Sequence, residues 1–154
     1  MGREIERKFL LKSDVWRALV KGTPYRQGYL NSAKERTVRI RTVGEQAFLT
    51  IKGITVGNTR TEYEYPIPFD ECNAMLDRLA EKPLIEKTRY KIPYGGLVWE
   101  IDEFFGENQG LTVAEVELTS EQQVFEKPAW VGDEVSGDPR YFNSNLIKHP
   151  FTQW

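Results

Sequence analysis

Apolar and charged side chains alternate one for one through much of this 154-residue chain. That is the period of an extended strand, whose successive side chains point to opposite faces. In "EIERKFL", Glu4, Glu6 and Lys8 fall on one face and Ile5, Arg7 and Phe9 on the other. The pattern, punctuated by turn residues, predicts strands over 3–11, 25–31, 36–43, 46–53, 59–67, 85–93, 97–104 and 112–119. Turns fall at "VGEQ" (43–46), "TVGN" (55–58) and "PYGG" (93–96), where glycine admits positive φ. Helical spacing is rarer. It is read over 13–20 with Ser13 as N-cap, and over 70–81, where Cys72, Met75, Leu76 and Leu79 recur at helical intervals. Two more helices are expected, one over 120–126 after Thr119 or Ser120 and a short one over 143–148. About eight short strands and three or four helices, without repeat or linker, predict one α+β domain over 1–154, built on an antiparallel sheet or barrel.

Composition narrows this only slightly. At 40% hydrophobic, 29% charged and 12% aromatic, the chain reads as globular rather than disordered. The net charge of −2 hides 21 basic and 23 acidic residues, so neither nucleic acid nor a membrane is expected as a partner; charge must act locally. One cysteine, Cys72, excludes an intrachain disulfide and a cysteine-rich zinc site and points to a reducing cytoplasm. No apolar run is long enough to span a bilayer, and the charged start does not resemble a signal peptide.

The charged faces carry the chemistry. Arg39 and Arg41 share a face, as do Glu62 and Glu64, Lys87, Arg89 and Lys91, Glu100 and Asp102, and Glu115 and Glu117; Lys52 stands on the charged face of its own strand. One wet face of an antiparallel sheet produces such alternation. Most of these pairs, however, keep one sign per strand, with Glu6/Lys8 and Arg60/Glu62 as mixed cases. Like charges two residues apart repel, and ordinary surfaces intersperse signs. A barrel with its charged face inward accounts for the pattern better. Carboxylates gathered in a partly dry cavity take up protons unless cations neutralise them, and hard divalent ions, Mg²⁺ or Mn²⁺, suit oxygen donors. Lys8, Arg39, Arg41, Lys52, Lys87 and Arg89 then call for a multiply charged anion, since guanidinium groups bind phosphate in bidentate fashion. Together these are the parts for metal-assisted chemistry on a polyphosphate.

The ordered series, from "EIERKFL" (E-x-E-x-K) through Arg39-x-Arg41, Lys52, Glu62-x-Glu64, Lys87-x-Arg89, Glu100-x-Asp102 and Glu115-x-Glu117, resembles the CYTH superfamily of triphosphate tunnel metalloenzymes over nearly the whole chain. The resemblance implies an eight-stranded antiparallel barrel forming a charged tunnel, with helices outside and a C-terminal helix near one mouth. It also implies Glu4, Glu6, Glu115 and Glu117 as metal ligands, with Glu62, Glu64, Glu100 and Asp102 as further ligands or water-orienting groups. Lys8, Arg39, Arg41, Lys52, Lys87 and Arg89 would contact phosphates, and Arg140, in "DPRYFNSNL", would add a contact. Tyr29 is a candidate accessory acid beside Lys87, against a plain packing role at the barrel wall. "YRQGYL" at 25–30 resembles the small bacterial inorganic triphosphatases, which implies cleavage of tripolyphosphate to pyrophosphate and phosphate. A class IV-type adenylate cyclase, a nucleoside or thiamine triphosphatase, and a non-enzymatic polyphosphate-binding module are the alternatives. A second copy of the chain is an open partner. The single His149 reads as an end-capping residue, and Trp16, Trp99, Trp130 and Trp154 read as packing residues.

Overall fold

The computed structural model of the protein describes residues 3–154. Among the described residues nine strands form in chain order: β1 (Arg3–Leu11), β2 (Thr23–Asn31), β3 (Arg36–Val43), β4 (Gln46–Gly53), β5 (Thr59–Pro66), β6 (Ile85–Tyr94), β7 (Leu97–Phe104), β8 (Thr112–Glu117) and β9 (Val131–Glu134). All pair antiparallel in the order β5-β4-β3-β2-β6-β7-β8-β1-β9, and β5 also pairs with β1. That last pairing, Arg3 against Thr61 to Ile5 against Thr59, closes the first eight strands into a barrel. The ninth strand lies outside the ring. It pairs with β1 at Phe9–Leu11, past the point where β5 leaves that edge, and so keeps the edge covered.

The eight expected strands are present to within two residues at either end. Glycines at positive φ make the hairpin turns, as Gly44 (φ +59°) and Gly95 (φ +59°) do. The helices depart further from expectation. Over 13–20 there is only a 3-10 turn, Val15–Ala18, which seats Trp16 in the core; the side chain of Ser13 caps nothing, although its carbonyl accepts from Trp16 Nε1 at 2.8 Å. No helix forms over 120–126. There Gln123 Oε1 accepts from the Thr119 amide and hydroxyl, and Glu121 bonds the Asn58 amide and Thr59 hydroxyl across the barrel wall. Helix α1 (Phe69–Arg78) forms where helical spacing predicts it, buries Cys72 and Leu76, and carries Asp70 and Glu71 in its first turn and Arg78 in its last. The last helix, α2, is one turn, Asn143–Leu146.

Three apolar clusters hold the barrel. Outward residues of β1, β7 and β8 (Ile5, Phe9, Trp99, Ile101, Ala114, Val116) pack with Trp16, Trp130 and Val131, and Trp99 meets Phe9 at 5.5 Å between ring centres. On the opposite side α1 covers Ile40 and Ala47 with Cys72, Leu76 and Ala80. Close contact there needs Gly28: a Cβ on it would stand 2.8 Å from Leu84 Cδ2 and 2.9 Å from Ala80 Cβ. The third cluster is inside. Leu10, Ile85, Phe104 and Val113 occupy the same alternating rows as the inward charged residues, and with Tyr141, Leu146 and Ile147 they plug one end of the barrel. The C-terminal segment thus closes that end, as the family resemblance implies. Among the described residues no helix is long and apolar enough to cross a membrane.

Candidate active site

Inside the barrel lies a cavity of about 470 Å³, a size typical of small-molecule sites. Strand parity decides its walls. The strands β4, β3 and β6 point Lys52, Arg39, Arg41, Lys87 and Arg89 inward, with Tyr29 from β2 among them. Facing them, β7, β8, β1 and β5 point Glu100, Glu115, Glu117, Glu4, Glu6, Glu62 and Glu64 inward. In the barrel order the basic strands are contiguous through β2 and the acidic strands are contiguous through the β1–β5 closure. The cavity therefore has a cationic half and an anionic half, with Lys8 on β1 and Arg60 on β5 as the exceptions.

Ion pairs cross the seams between the halves. Lys52 Nζ donates to both oxygens of Glu4, at 3.0 and 3.1 Å, and lies 3.5 Å from Glu62. Within the acidic half, Lys8 Nζ donates to Glu115 Oε1 at 3.1 Å and stands 3.8 Å from Glu6. Glu64 lies 3.6 Å from Arg39 and 3.5 Å from Arg41, and accepts from Thr50 Oγ1 at 2.8 Å. Arg60 is turned to the wall, donating to the Gly53 carbonyl and Thr37 Oγ1, each at 3.1 Å.

Asp102 is the anchor of the basic half. It is fully buried behind the cavity surface and accepts from Arg89 Nε and Nη2 at 2.7 and 2.8 Å, a bidentate fork, while Lys87 Nζ lies 2.8 Å away. The expectation of a metal ligand at Asp102 meets a different geometry: both oxygens are taken up by the two cations and the residue is absent from the lining. Arg140 is likewise away from the cavity. Its guanidinium is exposed and forks onto Asp138 beside it, the Trp154 ring lying 4.9 Å off. All other expected site residues line the cavity.

Burial and crowding tune these groups. Burial pushes the Lys87 ammonium down to about 8, helped by Arg89 and only partly opposed by Asp102. Burial and the neighbouring Arg39 and Arg89 lower Arg41 to about 10. Glu6 is raised well above the usual carboxylate range by burial and by Glu115 and Glu4. Glu117 is raised by burial and by Glu4, Glu62 and Glu100. Burial also works against Glu115, but Lys8, Arg89 and Lys87 outweigh it and hold that carboxyl well below its ordinary value.

Two orphans are informative. The Nε–H groups of Arg39 and Arg41 are buried without a hydrogen-bond partner. Both guanidinium groups face the cavity, so an anion there would complete them. Sequence reasoning passed over several participants. Tyr25 is buried, with Arg41, Lys87 and Arg89 at 5.1, 5.9 and 5.0 Å from its ring centre, and its face offsets their mutual repulsion. Asn143 Oδ1 accepts from both Lys87 Nζ and Gln27 Nε2. Tyr25 and Gln27 share parity with Tyr29, which could have revealed them; Asn143, on a one-turn helix, had no such signal.

A family model for the CYTH domain matches residues 2–149. The chain belongs to the CYTH family. This CYTH chain is 53% identical over 151 residues to the inorganic triphosphatase of Acetivibrio thermocellus, covering 98% of itself and 97% of that protein. It is 40% identical over 148 residues to the inorganic triphosphatase of Nitrosomonas europaea, covering 93% and 95%. A crystal structure of an inorganic triphosphatase superposes with a TM-score of 0.67 at 34% identity, over 93% of this CYTH chain and 96% of that one. The closed barrel is therefore the fold of a solved relative, and in this chain the charged rows point into it rather than lining the wet face of an open sheet.

Proposed function

We propose that this CYTH protein hydrolyses inorganic triphosphate to pyrophosphate and phosphate with a divalent metal ion. The observation that carries the proposal is the divided cavity, whose cationic half presents buried, unpartnered guanidinium N–H groups on Arg39 and Arg41 opposite a crowd of carboxylates. Relatives named inorganic triphosphatase, matched nearly end to end, support the same substrate. We place the activity in the cytoplasm, where the buried free thiol of Cys72 remains reduced.

The carboxylates fit a metal by their chemistry. Among the described residues no group of three or more His, Cys, Asp or Glu already stands at metal-holding distance. Yet burial and the crowding of like charges raise the carboxyls of Glu6 and Glu117, and hard oxygen donors in that condition suit Mg²⁺ or Mn²⁺. Glu4, Glu6, Glu115 and Glu117 would hold the ion, with Glu100 beside them. When bound, it would neutralise phosphate charge and polarise a phosphoryl oxygen.

The side chains do the rest. Arg39, Arg41, Arg89, Lys52 and Lys8 grip the phosphate oxygens, fixing the chain in line for attack and stabilising charge on the transferred phosphoryl group. Binding exchanges internal pairs for substrate pairs: Glu64 gives up Arg39 and Arg41 as phosphate takes them. Glu62 and Glu64, the wall carboxylates outside the ligand set, are placed to take the proton of the attacking water. Lys87 and Tyr29, at the plugged end, are placed to stabilise or protonate the leaving pyrophosphate. Thermal unfolding with tripolyphosphate, in EDTA and in Mg²⁺, tests the reading. An enzyme of this kind is stabilised by tripolyphosphate and destroys it only with metal. A protein that shows no stabilisation in either buffer does not bind this substrate class.

A further inference from the structure

We propose that Asn143, carried by the C-terminal segment, is a positioning residue that clamps the Lys87 ammonium for reaction. The inference rests on the triphosphatase reading and adds to it a residue outside the charged rows.

Lys87 is enclosed on nearly every side, its side chain 1% exposed. An ammonium has three N–H donors and no acceptor, so its direction is set by the acceptors around it. One is Asp102 Oδ2 at 2.8 Å. The second is Asn143 Oδ1 at 3.3 Å. Two ring faces, Phe104 at 5.5 Å and Tyr25 at 5.9 Å, also attract its charge without fixing a hydrogen direction. Two anchored N–H bonds leave the third for the cavity that Lys87 lines.

The amide that does this is itself fixed. Gln27 Nε2 donates to the same Asn143 Oδ1 at 3.2 Å, and Gln27 is fully buried. The opposite amide orientation would turn the Asn143 NH₂ toward two donors, an ammonium and an amide, so only the oxygen fits there. Asn143 begins α2, whose Leu146 lies in the plug cluster. The plug thus sets where the amide stands, and the amide sets where the ammonium points. Asn143 also lines the cavity, so a charge placed on it would face the substrate.

Three proteins compared at saturating Mg²⁺ test the clamp. Asn143→Leu keeps the volume and removes the acceptor; its kcat should fall about tenfold or more, with KM changed by less than about threefold, the loss typical of one hydrogen bond to a charged group. Asn143→Asp keeps an oxygen toward Lys87 and should retain kcat within about threefold while raising KM, because its charge repels the anion. General damage to packing would not produce that split. Asn143→Ala replaces the leucine protein should the latter not fold. The Lys87 ammonium resonance in ¹H–¹⁵N spectra reads the clamp without turnover: ordered in the parent, broadened in Asn143→Leu. The proposal is overturned by a leucine protein with parental kcat, by an aspartate protein as slow as the leucine one, or by an unchanged Lys87 resonance. A parent that leaves tripolyphosphate intact argues against the triphosphatase reading instead, and the resonance then decides the clamp alone.

Discussion

Replacing Asp102 by asparagine removes one charge and one acceptor from a fully buried position. Asp102 meets Arg89 at 2.7 and 2.8 Å and Lys87 at 2.8 Å, three charge-assisted contacts on two oxygens. The amide keeps one acceptor and turns an NH₂ toward a guanidinium or an ammonium, donor against donor. Lys87 then remains buried with no opposing charge at ion-pair distance among the described residues, while Arg89 keeps only Glu100 at 3.3 Å and Glu115 at 3.9 Å. Breaking a buried pair by deleting one partner typically costs about 3–5 kcal/mol, and with Lys87 stranded and Arg89 stripped of its bidentate partner we expect a cost in that range for Asp102→Asn at neutral pH. For a domain of this size the shift corresponds to about 6–20 °C in Tm. The pH dependence has a fixed sign. Burial raises the Asp102 carboxyl, but Arg89 and Lys87 outweigh it and hold its folded pKa below the ordinary value. The stabilisation is therefore present above the unfolded carboxylate pKa and is lost as pH falls through the folded one. Urea unfolding of parent and variant at pH 7 and at descending pH measures both effects. A difference below about 1 kcal/mol at pH 7, or one that grows on acidification, would refute the anchor role.

Lys87, half-neutral near pH 8 in the ligand-free protein, should take up a proton when phosphate binds at pH 8–9; calorimetry in buffers of different ionisation enthalpy reads this directly, and zero uptake counts against it. Because its folded pKa lies below the unfolded one, stability should rise between about pH 8 and 10.5 as the unfolded state binds the extra proton. Glu6→Gln removes a carboxyl raised by burial and by Glu115 and Glu4, so in EDTA its Tm should equal or exceed the parent's while metal-dependent turnover collapses; a clear drop in Tm contradicts the crowding argument. Arg41→Ala should lower kcat/KM about 10- to 100-fold by removing a buried phosphate donor, and Arg41→Lys should not restore it, whereas Arg140→Ala, outside the cavity, should stay within about twofold. Equal effects at the two arginines would contradict a substrate site in the cavity that Arg41 lines.

Much of the fold was legible because a strand's period of two survives every strand of the barrel. Glu4 and Glu6, Glu62 and Glu64, and Lys87 and Arg89 were placed on the correct faces by parity alone. What parity lacks is depth along the strand. It gives Leu10, Ile85, Phe104 and Val113 the same inward sign as their charged neighbours, and only the packing of α2 shows that these form a plug. It also cannot separate Glu100, which lines the cavity, from Asp102, two residues on and sealed behind it by Arg89. The strand β9 escaped notice because four residues, one a glycine, carry too little pattern, and its pairing depends on where β5 leaves β1. The helix expected over 120–126 failed for a local reason. Gln123 and Glu121 spend their side chains on turns, a competition that hydrophobic spacing does not register.

The central claim is that the two charged halves of the barrel serve metal-dependent cleavage of inorganic triphosphate. Its most direct test is a phosphate-release panel with tripolyphosphate, ATP and thiamine triphosphate, in Mg²⁺, in Mn²⁺ and in EDTA, with cyclic AMP measured alongside. One phosphate and one pyrophosphate are expected from each tripolyphosphate, only with metal, and at a higher kcat/KM than for the other two substrates. Tripolyphosphate left intact while ATP yields cyclic AMP, or cleavage undiminished in EDTA, would contradict it.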